Sequence, residues 1–263
     1  MYKRNIYYSI LKHFRKIPNY FFRNKKHKFL FILSPPYCGS TLLNEIISTS
    51  KNVSSNNYLN TREGQTLPEV KQFMFKKNRW DPENKIPWKN VKQIWMKYWD
   101  LSKDILLDKS TTNILRCKEI SNHFNPLQYI CLVRNPYAQC EGIIRRNNKD
   151  PFTAANFVIK CLKLQKMNLE NQKNILFFTY EDLCDKTESV IKKIIKFVPE
   201  VENLNAKLEF KAHNFKSSNK MHIVNLNNEK ISKLTKDQIK TINKVFILEE
   251  KLIKYFNYEI IKS

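Results

Sequence analysis

Residues 31–46 read FILSPPYCGSTLLNEI. Phe29 to Leu33 is an apolar run with the length of a buried strand, and Leu42, Leu43, Ile46 and Ile47 recur at helical spacing. Between them stands Gly39, one of three glycines in 263 residues. A strand that turns through a glycine into a helix has the parts of an anion cradle. Glycine lets the backbone approach a ligand, the first-turn amides point at it, and Ser40 and Thr41 add hydroxyl donors. The same pattern also suits a tight turn with a polar cap. The Walker pattern G-x-x-x-x-G-K-S/T is absent, which disfavours ATPases and kinases of that class.

Working outward, strand-then-helix recurs. Ile105 to Leu107 reads as a strand followed by a helical stretch with Ile114, Leu115 and Ile120. Tyr129 to Val133 is a strand followed by a helix from Pro136, a residue suited to a first turn. Residues 152–170 read as a long helix. Ile175 to Phe178 is a fourth strand, followed by Val190, Ile191, Ile194 and Ile195 on one helical face, and Ile239, Ile242 and Phe246 mark a late helix. This order predicts an α/β fold with a central, mostly parallel sheet flanked by helices, whose ligands gather beyond the carboxyl ends of the strands. The expected organisation is a basic N-terminal segment, 1–27, and one α/β domain, 28–263, with an inserted helical and loop region at about 51–100.

Length and a 42% hydrophobic content allow one full-sized core. The formal net charge of +23 favours an anionic ligand. It is weak evidence for nucleic acid, because the basic residues are scattered and Lys, Asn, Ile, Phe and Tyr are enriched together, as an AT-rich coding sequence would write them. No nucleic-acid partner is expected. The six cysteines have no metal-site spacing and read as reduced; no metal is expected. The N-terminus alternates basic and aromatic residues without a signal-peptide or membrane-spanning run, which predicts a cytoplasmic chain. That segment either packs on the domain or makes a peripheral membrane contact.

The other two glycines also stand by strand–helix units, Gly64 in TREGQTLPE and Gly142 in VRNPYAQCEG. Arg134, ending the third strand, offers a forked, permanently charged donor to a second phosphate, or else a surface salt bridge. The ordered set PPYCGSTLL, LLDKSTTNILR, YICLVRNPYAQC and FFTYEDL, over roughly residues 28–250, resembles the sulfotransferase family, in the branch with Golgi-type and tyrosylprotein sulfotransferases and bacterial and viral relatives.

The resemblance implies a P-loop-like nucleotide-binding fold. It also implies 3′-phosphoadenosine 5′-phosphosulfate (PAPS) as co-substrate, whose sulfuryl group passes to an acceptor hydroxyl or amine. On this reading Pro36, Tyr37, Cys38, Gly39, Ser40, Thr41 and Leu42 form the phosphosulfate loop and Arg134 binds the 3′-phosphate. Tyr180 and Glu181 are structural, and Ser217, within KSSNKMHIVNL, belongs to a late segment closing over the cofactor. The chain departs from the family at two places. Tyr37 stands where relatives carry Lys or Arg, and Gly142 stands where they carry Ser. The first departure makes Lys109, in DKSTTN, the cation expected at the leaving phosphate; hydroxyl donors of the Ser40 type elsewhere, or Arg145 and Arg146, could offset the second.

In-line transfer needs a base, and Glu63, in TREGQ, is the choice, with Asp108 and His123 weaker. A helix-capping or salt-bridged surface glutamate beside Arg62 is the other reading of Glu63. Trp80, Trp88, Trp95 and Trp99 either wall an acceptor site or pack a small satellite core. The acceptor is left open among a glycan, a peptide tyrosine and a lipid. A non-catalytic phosphonucleotide-binding relative is the alternative to an enzyme.

Overall fold

The computed structural model describes residues 2–209 and 222–262. The chain starts with helix α1 (Tyr2–Phe22), then β1 (Lys28–Leu33) and α2 (Ser40–Ile47). Next come β2 (Val53–Ser55), α3 (Pro68–Met74), α4 (Trp88–Trp95), β3 (Ile105–Asp108) and α5 (Cys117–Ser121). The second half holds β4 (Leu127–Val133), α6 (Pro136–Asn147), α7 (Pro151–Asn171), β5 (Ile175–Thr179), α8 (Tyr180–Asp185) and α9 (Thr187–Phe197). After the undescribed stretch come α10 (Asn227–Ile231), α11 (Lys236–Phe246) and α12 (Glu250–Tyr255).

The five strands form one sheet in the order β2-β3-β1-β4-β5, and every pairing is parallel. A parallel sheet must be covered on both faces, because its crossover helices lie there. The side-chain alternation of β1 shows both covers. Phe29, Phe31 and Leu33 pack with residues of α1, α3, α4 and α5, whereas Leu30 and Ile32 pack with α2 and α9. A third cluster joins α6, α7, α11 and α12 beside the end of β4. The α/β, parallel-sheet expectation therefore holds.

Three details differ from the sequence reading. The edge strand β2 lies inside the 51–100 region, so that region contributes to the sheet. The stretch after β3 is a 3₁₀ turn at Thr111–Leu115 and a separate short helix, α5. Trp88, Trp95 and Trp99 pack against Phe29, Phe31 and Phe124 in the principal core, not in a satellite. The first basic segment is α1, held by the Tyr8 hydroxyl donating to Asn57 Oδ1 at 3.1 Å and by Asn19 bonding the backbone of Met96, Trp99 and Leu101. Among the described residues, no helix is long and apolar enough to cross a membrane.

Candidate active site

The turn after β1 sets the floor of a cavity of about 740 Å³ at the carboxyl ends of the strands. Gly39 caps α2 with φ 91°, a left-handed conformation, and a Cβ there would lie 2.5 Å from the Tyr180 ring. Both facts require glycine. Two buried amides fix the approach to the turn: Gln165 Nε2 donates to the Leu33 carbonyl at 2.7 Å and Gln139 Nε2 to the Pro36 carbonyl at 3.1 Å. Pro36, Tyr37, Gly39, Ser40, Thr41 and Leu42 line the cavity. The Cys38 side chain does not; it is fully buried, and burial pushes its thiol far up. Any part Cys38 plays in the loop is a backbone one.

Lys109 and Glu63 meet at this floor. Lys109 ends the excursion from β3 with its ammonium buried, 3.1 Å from Thr41 Oγ1, 3.5 Å from Ser40 Oγ and 3.8 Å from Glu63 Oε1. Burial raises the Glu63 carboxyl above the ordinary range, opposed by the Lys109 charge and the hydrogen bond from Gln65. Burial lowers the Lys109 ammonium, opposed chiefly by Glu63. Arg62 turns away to Glu45 at 2.9 Å, so the surface salt-bridge reading of Glu63 does not apply. Gln65 is itself locked, donating to Thr111 Oγ1 at 3.0 Å and accepting from Thr112 Oγ1 at 2.6 Å.

The two weaker base candidates are placed elsewhere in the chemistry. Asp108 accepts from Asn56, from the Gly64 and Ser110 amides, from the Ser110 hydroxyl and from Asn113, all within 3.1 Å. Those five bonds occupy its lone pairs, and it organises the loop that carries Lys109 and Glu63. His123 is exposed in the connection into β4, on a separate shallow cleft.

Arg134 closes the other side. Its guanidinium is buried against the Tyr180 ring at 4.0 Å, Nε donates to Asn227 Oδ1 at 2.7 Å and Nη1 to the Tyr37 carbonyl at 3.1 Å. Nη2 is buried with no partner among the described residues. A buried charged donor without a partner, on a residue that lines the cavity, suits an anion's oxygen. Glu181 accepts from the Asn135 amide at 2.8 Å and from Tyr258 Oη at 2.8 Å, which supports the structural role expected of it. Gly142 contributes space, because the Tyr37 ring lies against it. Arg145 and Arg146 both line the cavity; Arg145 is held by Glu141, and Arg146 stands about 6 Å from the Tyr37 ring. Ser217 lies outside the described residues.

Sequence reading missed Arg79. It lines the cavity half-buried over the Phe75 ring at 4.3 Å, and its Nε has no partner among the described residues. Of the four tryptophans, Trp80 alone lines the cavity, edge-on to Phe157 at 4.9 Å. Among the described residues, no three His, Cys, Asp or Glu side chains converge as metal ligands.

No family model and no curated protein matches the chain. Solved structures do. The sulfotransferase domain from the Synechococcus PCC 7002 olefin synthase is similar at TM-score 0.60 and 20% identity, over 90% of this chain and 98% of that one. The sulfotransferase domain from the curacin biosynthetic pathway is similar at TM-score 0.55 and 18% identity, over 89% and 99%. A sulfotransferase from Alicyclobacillus acidocaldarius is similar at TM-score 0.52 and 9% identity, over 88% and 96%. The sheet, its helical covers and the strand-end cavity thus place this chain in the sulfotransferase fold.

Proposed function

We infer that the chain is a PAPS-dependent sulfotransferase acting on a hydroxyl or amine acceptor. The observation that carries the reading is Lys109 Nζ standing between the loop hydroxyl of Thr41, at 3.1 Å, and the carboxylate of Glu63, at 3.8 Å. An ammonium held over a phosphate-type cradle and next to a buried carboxylate supplies both ends of a group transfer in one place.

The residues fit the co-substrate on two observations already given: the left-handed turn at Gly39 that sets Ser40 and Thr41 in the cavity lining, and the Arg134 Nη2 without a partner among the described residues. The loop 36–42 and Lys109 would hold the phosphosulfate, and Arg134 the 3′-phosphate. When bound, PAPS supplies an activated sulfuryl group on a phosphate leaving group. Lys109 holds positive charge where negative charge develops on that phosphate, which is the cation that Tyr37 does not provide. Glu63 takes the acceptor's proton; its raised affinity for protons, caused by burial, matches that task. Phe75, Trp80 and Phe157 give the acceptor side an apolar wall.

The non-catalytic reading rests on Tyr37 alone, and the position of Lys109 weighs against it. Two measurements test the proposal. Titration with 3′-phosphoadenosine 5′-phosphate should saturate, and absence of saturable binding would overturn both readings. Labelled sulfate should pass from PAPS to a member of a panel of glycans, peptides and lipids; binding without any transfer would leave the non-catalytic relative.

A further inference from the structure

Helix α1 has two faces with opposite chemistry. Tyr8, Leu11, Lys12 and Asn19 face the domain, where Tyr8 is buried, Lys12 pairs with Glu69 and Asn19 bonds three backbone groups. On the opposite side Ile6, Ile10, Phe14, Ile17 and Phe21 form a stripe at helical spacing, from 43% to 75% exposed. At 1.5 Å per residue it runs about 22 Å. A stripe of that length covering nothing among the described residues calls for a partner.

Charge selects the partner. Residues 1–28 hold nine Lys or Arg and no Asp or Glu; the first acidic residue of the chain is Glu45. Some of these cations are committed: Lys12 to Glu69, Lys25 to Asp104 and Lys28 to Glu200. Lys16, Arg23 and Lys26 are exposed beside and beyond the stripe and form no salt bridge among the described residues. A second copy packing its α1 on the stripe would bring like charges together with no acidic group to answer them. A lipid bilayer carrying anionic headgroups answers both features, since it takes the apolar stripe into its interface and pairs its phosphates with the flanking cations.

We propose that α1 is a membrane-docking helix that lies in the plane of an anionic bilayer, with Ile6, Ile10, Phe14, Ile17 and Phe21 in the acyl boundary. The domain contacts of the opposite face hold the helix to the core, so docking carries the whole fold to the surface as one unit. This assignment does not depend on the reaction proposed above.

The test is co-sedimentation of the full chain with vesicles of phosphatidylcholine, with and without phosphatidylglycerol. The chain should sediment with the phosphatidylglycerol vesicles and far less with pure phosphatidylcholine, and raised salt should weaken the binding. Combining Ile10→Ser, Phe14→Ser and Ile17→Ser should cut vesicle affinity by about tenfold or more. Circular dichroism and 3′-phosphoadenosine 5′-phosphate titration should stay as in the unaltered chain, because these side chains touch neither core nor cavity. Leu248→Ser removes an apolar side chain that is 83% exposed outside α1 and should leave vesicle binding unchanged. No sedimentation with anionic vesicles would overturn the proposal, as would full binding by the triple variant. A stripe-dependent dimer in ultracentrifugation without vesicle binding would assign the face to a second copy and overturn it as well.

Discussion

Tyr37 and Gly142 are in contact, and each makes room for the other. A Cβ built on Gly142 would lie 2.9 Å from Tyr37 Cγ and 3.0 Å from its Cβ. These are the two positions at which the chain departs from the pattern of the family it resembles. The two residues therefore fit each other sterically: the Tyr37 ring occupies the space that a side chain at residue 142 would need. Tyr37 is held there with φ 67° by its hydroxyl on Asn147 Oδ1 at 2.6 Å and its carbonyl on Arg134.

Gly142→Ser should consequently act through the loop. The new side chain meets Tyr37 near its backbone, where a rotamer change cannot relieve the clash, so the loop and Arg134 must shift. Affinity for 3′-phosphoadenosine 5′-phosphate should fall roughly tenfold, about 1.4 kcal/mol. Adding Tyr37→Lys should recover most of it, because both groups then fit. Strict additivity of the two substitutions in a double-mutant cycle would show that the contact has no energetic consequence.

Arg134 is the second anchor, and its geometry separates arginine from lysine. The guanidinium stacks on Tyr180 while using separate nitrogens for Asn227 and the Tyr37 carbonyl, and Nη2 has no partner among the described residues. An ammonium cannot do these things together. Arg134→Ala should weaken 3′-phosphoadenosine 5′-phosphate binding roughly ten- to a hundredfold. Arg134→Lys should recover little of that loss. Isothermal titration calorimetry distinguishes the two, and full affinity in the lysine variant would remove the stacking argument.

How much of this was legible beforehand follows from what each residue depends on. β1, β3, β4 and β5 are apolar runs, and such runs announce buried parallel strands locally. β2 is Val-Ser-Ser, which carries no such signal; it is a strand because Ser54 and Ser55 pair with Leu106 and Leu107 at the sheet edge. Gly39 can be picked out because it stands in a short motif at a strand end, and Lys109 and Glu63 because DKSTTN and TREGQ resemble segments of the sulfotransferase family. Arg79 could not, because it sits in an irregular stretch between α3 and α4 whose path is set by packing. The roles of Gln139 and Gln165 were hidden for a similar reason: a glutamine on a helix gives no sign that its amide will reach across to a strand carbonyl.

Arg79 invites a prediction that separates acceptor from co-substrate. Its guanidinium stands at the Phe75 and Trp80 end of the cavity, lowered by burial and raised by the nearby Glu63 charge. With no side-chain partner for Nε among the described residues, it is available to an acceptor group held beside the base. Arg79→Ala should leave 3′-phosphoadenosine 5′-phosphate affinity within about twofold, while kcat/KM for the acceptor falls by about tenfold or more. Equal losses in both would put Arg79 on the co-substrate instead.

The pairing of Glu63 with Lys109 sets the pH dependence. Glu63 must be ionised to accept a proton, and burial raises its carboxyl, so the acid limb of kcat/KM should lie above that of an ordinary glutamate. Lys109 must be protonated to hold charge at the leaving phosphate, and burial lowers its ammonium, so the alkaline limb should lie below that of an ordinary lysine. The active window is thus narrowed from both sides. Glu63→Gln should reduce turnover about 10²- to 10⁴-fold and abolish the acid limb, while leaving 3′-phosphoadenosine 5′-phosphate bound. Lys109→Met should cost about a hundredfold or more, abolish the alkaline limb and, by removing the neighbouring cation, move the acid limb further up. The direction of that last shift is the informative measurement. A structural lysine remote from the base would lower the rate without moving the limb, whereas one at 3.8 Å from the carboxylate must move it.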